Sequence, residues 1–152
     1  MPSVDVQSAT IDEKPVIGRL LELYAHDFSE LNGADVDERG VFGYRYLDSY
    51  WVETEHHPFL LRVNGRLAGF ALVRTLPPHD MAEFFVMRKY RRSGVGTALA
   101  REVFARFPGE WQVRQMTSNP AATAFWRRAI PVEFAQEMLD QGPVQRFTIA
   151  DR

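Results

Sequence analysis

The chain contains no cysteine. That absence removes disulfide frameworks, thiolate zinc sites and a cysteine nucleophile in one step, and it is compatible with a reducing compartment. Long apolar runs are missing too: no stretch approaches the roughly 20 residues of a membrane-spanning helix. Residues 1–14 have no basic region leading into an apolar stretch, so no secretory leader is expected. A soluble, cytoplasmic protein with no membrane partner is the expectation. Positive charge is in short supply, with 18 Lys and Arg against 20 Asp and Glu and a net charge of −2. Proteins that select nucleic acid by bulk electrostatics are usually more basic, so nucleic acid is not an expected partner. Repeats, low-complexity tracts and linkers rich in Pro, Gly or Ser are also lacking, which leaves residues 1–152 as one expected domain.

What is present is a globular composition, 45% hydrophobic and 25% charged, in a chain long enough to bury a core. Val4 to Ala9 alternates weakly, as a first strand would. Lys14 to Phe28 reads as a helix, with Ile17, Leu20, Leu21 and Tyr24 on one face and Pro15 in the first turn. A polar, acidic loop covers residues 29–40. Phe42 to Val52 is rich in aromatics, and Tyr46, Leu47, Tyr50 and Trp51 are spaced for a short second helix. Residues 58–74 carry two β-rich runs around Asn64-Gly65, a dipeptide suited to a type I′ hairpin turn. Leu76-Pro77-Pro78 ends the second run, and Ala82 to Arg88 is a further strand. A strong helix comes next, with Val95, Leu99, Val103 and Phe107 at intervals of four and a Glu102–Arg106 pair on its outer side. Pro108-Gly109 stops it. Trp111 to Met116 is a strand, Ala121 to Ala129 a short helix, and Glu133 to Met138 and Gln145 to Ile149 are closing strands. The order βααβββαβαββ implies an α/β or α+β sheet covered by helices.

The chemistry concentrates in Arg91-Arg92-Ser93-Gly94-Val95-Gly96-Thr97-Ala98, between a strand and the start of an amphipathic helix. The first turn of a helix has N–H groups without intrahelical acceptors, and the helix dipole adds partial positive charge there. Glycines let the backbone approach a ligand closely. Together these make an anion cradle suited to phosphate, and Arg88, Lys89, Arg91 and Arg92 surround it with cations. A P-loop is excluded, because no Gly-Lys-Ser/Thr stands at the required spacing. The dinucleotide fingerprint G-x-G-x-x-G fails at Leu99 and in its placement after the strand.

Arg91-x-x-Gly94-x-Gly96, five residues beyond Val86 and opening a long helix, resembles the coenzyme-A motif of the GNAT acyltransferases. Asn119-Pro120-Ala121-Ala122-Thr123-Ala124-Phe125-Trp126 is similar to that family's later N-x-x-A-x-x-F-Y element. The two segments, their separation and the element order extend the resemblance over about residues 40–140. It implies a GNAT-like fold with a mixed, mostly antiparallel central sheet flanked by helices. It implies acetyl-CoA or another acyl-CoA as co-substrate, an amine acceptor that is a small molecule or a peptide, and no metal. By the same resemblance Arg91 anchors the motif and Arg92, Ser93, Gly94, Val95, Gly96 and Thr97 hold the pyrophosphate. The backbone around Val86 and Met87 pairs with the pantetheine arm, and Asn119 and Phe125 lie beside it. A homodimer is plausible on family analogy alone.

Two departures bear on catalysis. Trp126 stands where the family often has a tyrosine that protonates the departing thiolate, and an indole N–H donates a hydrogen bond without serving as an acid. The Gly-Phe pair that often closes this element is Ala129-Ile130 here. Glu83, on the strand entering the cofactor loop, is the candidate base, with Asp80 as its rival and an ordinary hydrogen-bonded carboxylate as the plain alternative. Tyr44, Tyr46 and Tyr50 are candidates to line an acceptor pocket or supply an acid, or else to fill core. His56 and His57 are too sparse for a metal site. The expected function is N-acyl transfer to a primary amine by direct attack. A non-catalytic acyl-CoA-binding sensor or scaffold of the same fold is the alternative.

Overall fold

The computed structural model describes residues 2–151. The chain runs β1 (Val4–Ser8), α1 (Lys14–Asn32), α2 (Ser49–Val52), β2 (His56–Val63), β3 (Arg66–Arg74), β4 (His79–Val86), α3 (Val95–Arg106), β5 (Gly109–Arg114), α4 (Pro120–Ala129), β6 (Ala135–Leu139) and β7 (Gly142–Ile149). The order expected from sequence patterning is the order observed. One seven-stranded sheet, β1-β2-β3-β4-β5-β7-β6, organises the described residues. Neighbouring strands are antiparallel except β4 and β5.

Local chemistry explains the elements. Asn64 and Gly65 take φ 51° and 78°, the two positive values a type I′ turn requires, and β2 and β3 pair on either side of it. α1 runs four residues beyond its expected end, to Asn32. Gly33 at φ 73° closes it, its N–H donating to the Ser29 carbonyl. The second helix is shorter than the aromatic spacing suggested: Arg45 to Asp48 are turns, and only Ser49–Val52 are helical.

The sheet separates two apolar layers. On one side α1 and α2 cover Leu60, Phe70, Leu72 and Phe85 with Ile17, Leu20, Leu21 and Tyr50. On the other, α3 and α4 cover Val73, Met81, Val86 and Trp111 with Leu99, Val103, Phe104 and Trp126. Val95, Leu99 and Val103 are buried, as the four-residue recurrence on α3 requires, while Phe107 falls just past the helix and is partly buried. The expected Glu102–Arg106 pair does not form. Arg106 reaches instead across to the β1 carbonyl of Val6 and lies 5.5 Å over the Phe59 ring, so packing outcompetes a surface ion pair.

Two irregularities flank β4, one on each edge. Along β3 and β4, Leu72 pairs with Glu83 and Val73 with Met81, leaving Ala82 as an extra residue in a bulge. Between β4 and β5 the parallel ladder holds only His79 to Trp111 and Asp80 to Gln112. Beyond those pairs the two strands diverge.

Candidate functional site

The gap between the diverging strands is a cleft of about 1370 Å³. Its walls are Met81 to Val86 of β4, Val113 to Met116 at the end of β5, the loop and first turn of α3, and Ala121, Ala122, Phe125 and Trp126 of α4. A smaller pocket of about 270 Å³, walled by Leu21, Ala25, Gly43 and Tyr44, shares Tyr24, Phe28, Glu83 and Met116 with it. Glu83 therefore stands where the two cavities meet.

At the α3 end of the cleft the backbone is shaped for an anion. Arg92 and Gly94 take φ 64° and 80°, turning successive peptide groups the same way. Among the described residues, no backbone N–H from Arg92 to Thr97 donates to another backbone carbonyl, whereas the flanking Arg91 and Ala98 donate to Arg88 and Gly94. Gly94 serves by conformation. Gly96 serves by size, since a Cβ there would sit 3.1 Å from Phe125 Cε1 and crowd that ring. Free donors, a helix start and basic neighbours fit a diphosphate.

Glu83 projects to the α1 side. Tyr24 Oη donates to its Oε1 at 2.8 Å, and Tyr24 is itself held edge-on by Phe28, Phe70 and Phe85. Burial pushes the Glu83 carboxyl above its ordinary value of 4.5, the Tyr24 hydrogen bond opposes this, and the Asp80 charge adds to it. Burial and the Glu83 charge raise the Tyr24 and Tyr44 hydroxyls, and burial pushes Tyr50 up to about 12. All three tyrosines are thus neutral donors at physiological pH. Asp80 shares the face of Glu83 because of the Ala82 bulge, yet it is spent elsewhere. It is buried, contacts Arg74 Nη2, and accepts from Arg114 Nη2 at 2.9 Å.

Residues 18–130 match the model of the acetyltransferase (GNAT) family. The chain belongs to this family. No curated protein sequence matches it. Among solved structures, an acetyltransferase from Thermus thermophilus is 18% identical, with a TM-score of 0.71 over 95% of this chain and 94% of that one. The ribosomal-protein-S18-alanine N-acetyltransferase of Escherichia coli is 17% identical, with a TM-score of 0.62 over 99% and 96%. The aminoglycoside acetyltransferase AAC(6')-Ib, in complex with coenzyme A and kanamycin, is 17% identical, with a TM-score of 0.68 over 96% and 95%. The mixed, mostly antiparallel sheet between helix pairs is the GNAT fold.

Within that GNAT frame the sequence-derived residues separate. Val86, Arg91, Arg92, Gly94, Gly96, Thr97, Asn119 and Phe125 line the cleft, whereas Met87, Ser93 and Val95 do not. Val95 is core, and the Ser93 hydroxyl donates back to Tyr90 at 3.0 Å. Arg91 is a strut: its Nε donates to the Val86 carbonyl at 2.6 Å and its Nη2 to Asp27 at 2.8 Å. Asp27 also accepts from Arg88 at 3.1 Å. Asp27 is thus a latch from α1 onto the cradle, missed in the sequence because neither partner is local. Asn119 caps α4 through the Ala122 N–H at 3.2 Å. Trp126 is buried against Phe84, Phe104 and Phe125. Of the three candidate tyrosines, Tyr44 lines the small pocket, Tyr50 is buried in the core, and Tyr46 is half exposed and lines neither cavity. Tyr24, read only as a helix-face residue, proves to be the partner of Glu83. His56 reaches Glu53 at 3.2 Å, and Glu55 lies close by. No helix among the described residues is long and apolar enough to cross a membrane.

Proposed function

We propose that this GNAT protein is an N-acyltransferase that moves a short acyl group, acetyl foremost, from acyl-CoA to a primary amine by direct attack. The observation that carries this reading is the continuity of the cavities: a diphosphate-shaped cradle at one end of the cleft and a half-buried carboxylate where the cleft meets a second pocket. A single domain spanning residues 1–152 suffices for both parts.

Acyl-CoA, when bound, supplies an activated thioester carbonyl. The rest falls to the chain. The N–H groups of Arg92 to Thr97 hold the diphosphate, and the diverging backbone of β4 up to Val86 guides the arm between the strands; Met87 lies outside the cleft wall, with its N–H donating to the Ala68 carbonyl. An aliphatic amine arrives mostly protonated, with a pKa of about 10.4. Glu83 takes that proton, directly or through water, and burial raises its basicity for the purpose. Tyr24 fixes the carboxylate in place. A thiol leaving group has a pKa near 8.5, so its departure is feasible without a dedicated acid, and the loss of a tyrosine at Trp126 is tolerable. Tyr44, neutral and on the small pocket's wall, is a substitute donor. Tyr24, Phe28, Glu83 and Met116 at the junction give the acceptor an apolar slot with one anionic wall, suited to a cationic amine.

Trp126 favours a second reading, a domain that holds acyl-CoA without turnover. Calorimetric titration of acetyl-CoA into wild type and a Gly94→Asp, Gly96→Asp double variant tests the cradle, and release of free thiol with a panel of amines tests turnover. Binding lost in the variant together with amine-dependent thiol release supports the enzyme. Binding without release at any amine selects the sensor. No binding by wild type at millimolar ligand refutes both.

A further inference from the structure

A polar chain crosses one end of the α3–α4 side of the sheet, and it is directional. Gln136 and Gln145 are register partners on β6 and β7, and Gln145 pairs with Val113 of β5. Gln115 lies two residues past Val113, with its N–H still bonded to the β7 carbonyl of Pro143 at 3.1 Å. Period-two alternation puts all three amides on one face. Arg127 Nη1 donates to Gln136 Oε1 at 2.8 Å. Gln145 Nε2 donates to the same oxygen at 3.0 Å. Gln115 Nε2 donates to Gln145 Oε1 at 2.7 Å.

The orientation of a buried amide is normally ambiguous, because its two ends look alike. Here a guanidinium closes one end, and a guanidinium only donates. Gln136 must therefore present oxygen to it. That oxygen orients the Gln145 amide, whose own oxygen then orients Gln115. The final Gln115 Oε1 is left as an acceptor, buried and without a partner among the described residues, on a side chain 9% exposed in the cleft wall. Gln145 is fully buried, so its link to Gln115 is shielded from competing water, whereas the Arg127–Gln136 end is exposed. An unsatisfied buried acceptor costs stability, and the packing uses only the Nε2 end of this amide, on Gln145, leaving Oε1 without a use.

We infer that Gln115 is a ligand-binding residue whose oxygen, aimed by the Arg127-Gln136-Gln145 relay, accepts a hydrogen bond from an amide N–H of the pantetheine arm. This rests on the acyl-CoA reading above. The arm offers secondary amide donors of the needed chemistry, and the wall that holds Gln115 also holds Asn119 and Phe125, which the family resemblance sets beside that arm. Gln115 contributes to holding the co-substrate, and Arg127 acts on binding only by fixing polarity.

The test compares coenzyme A with adenosine 3′,5′-bisphosphate, which lacks the arm, by calorimetry on the whole chain. Gln115→Leu should weaken coenzyme A by about 3- to 10-fold, the range of one neutral hydrogen bond, and leave the bisphosphate unchanged. Arg127→Ala, at an exposed site, should give a smaller loss of the same selectivity. In wild type, the Gln115 side-chain amide resonances should shift with coenzyme A and stay still with the bisphosphate, a readout that holds if Gln115→Leu fails to fold. Wild-type binding of coenzyme A with still resonances, or with equal affinity in Gln115→Leu, overturns the inference. Failure of wild type to bind coenzyme A at all defeats the acyl-CoA reading itself.

Discussion

Glu83→Gln is the perturbation that separates chemistry from binding most cleanly. The amide keeps an oxygen for the Tyr24 hydroxyl, which donates at 2.8 Å in the native protein, and keeps the shape of the junction between the cavities. It removes only the proton acceptor. Loss of a positioned general base costs about 10²- to 10⁴-fold, so kcat/KM for an amine should fall by that factor while the Kd for coenzyme A stays within about twofold. The pH profile supplies a second signature. The wild-type rate should climb as the carboxyl loses its proton, at a pH above the ordinary 4.5, and the variant should lack that limb. Stability runs the other way. Because the folded protein holds the Glu83 proton more tightly than the unfolded chain does, the native state loses stability as pH rises from 4.5 through the raised value. Glu83→Gln does not titrate, so its stability at neutral pH should match or exceed that of wild type, by up to about 1 kcal/mol. Steady-state kinetics, calorimetry and thermal melts across pH check all three. A variant within about threefold of wild-type kcat/KM, or one that loses activity only through about tenfold weaker coenzyme A binding, refutes the role of Glu83 as base.

Tyr24→Phe should move the rate-controlling ionisation to higher pH, since the carboxylate loses the donor that lowers its pKa, and should cost about 1.5–3 kcal/mol for a hydrogen bond to a charged group. Asp80→Ala should destabilise by about 1–3 kcal/mol in denaturant melts, because it strands Arg74 and Arg114; both are about half exposed and regain water, which keeps the loss below that of a fully buried pair. Leu99→Ala, at a fully buried α3 position, should cost about 2–5 kcal/mol. It should leave the coenzyme A affinity of the folded fraction unchanged.

Much of the fold was legible because periodicity and punctuation agree. Asn64-Gly65, Pro108-Gly109 and the four-residue recurrence on α3 each say the same thing locally as the finished sheet says globally. The cradle was legible for a related reason: a helix start and its glycines are contiguous in sequence. The catalytic half was harder to read. Tyr24 and Glu83 stand 59 residues apart, and no local pattern announces their meeting. Asp27 and Gln115 were invisible for the same cause, and the Asp80–Glu83 ambiguity turned on a bulge that composition does not encode. The second helix, expected from Tyr46, begins only at Ser49; just upstream the Glu22 carboxylate accepts from the Phe42 and Gly43 N–H groups at 2.8 Å each and holds that stretch in a non-helical path.

The bulge at Ala82 makes the upper half of β4 run out of phase with the lower half. Met81 and Val86 belong to the α3–α4 layer while Asp80, Glu83 and Phe85 face α1, an assignment that strict alternation along the strand does not permit. The site is consequently more sensitive to the length of this strand than to the identity of its residues. Ala82 contributes a step along the chain besides its small share of the cleft wall. Removing that step would swing one half of the strand over, sending either Glu83 into the apolar layer or Asp80 away from its arginines. Insertions and deletions here should be far rarer among functional descendants of this sequence than substitutions, a constraint on spacing that no single residue displays.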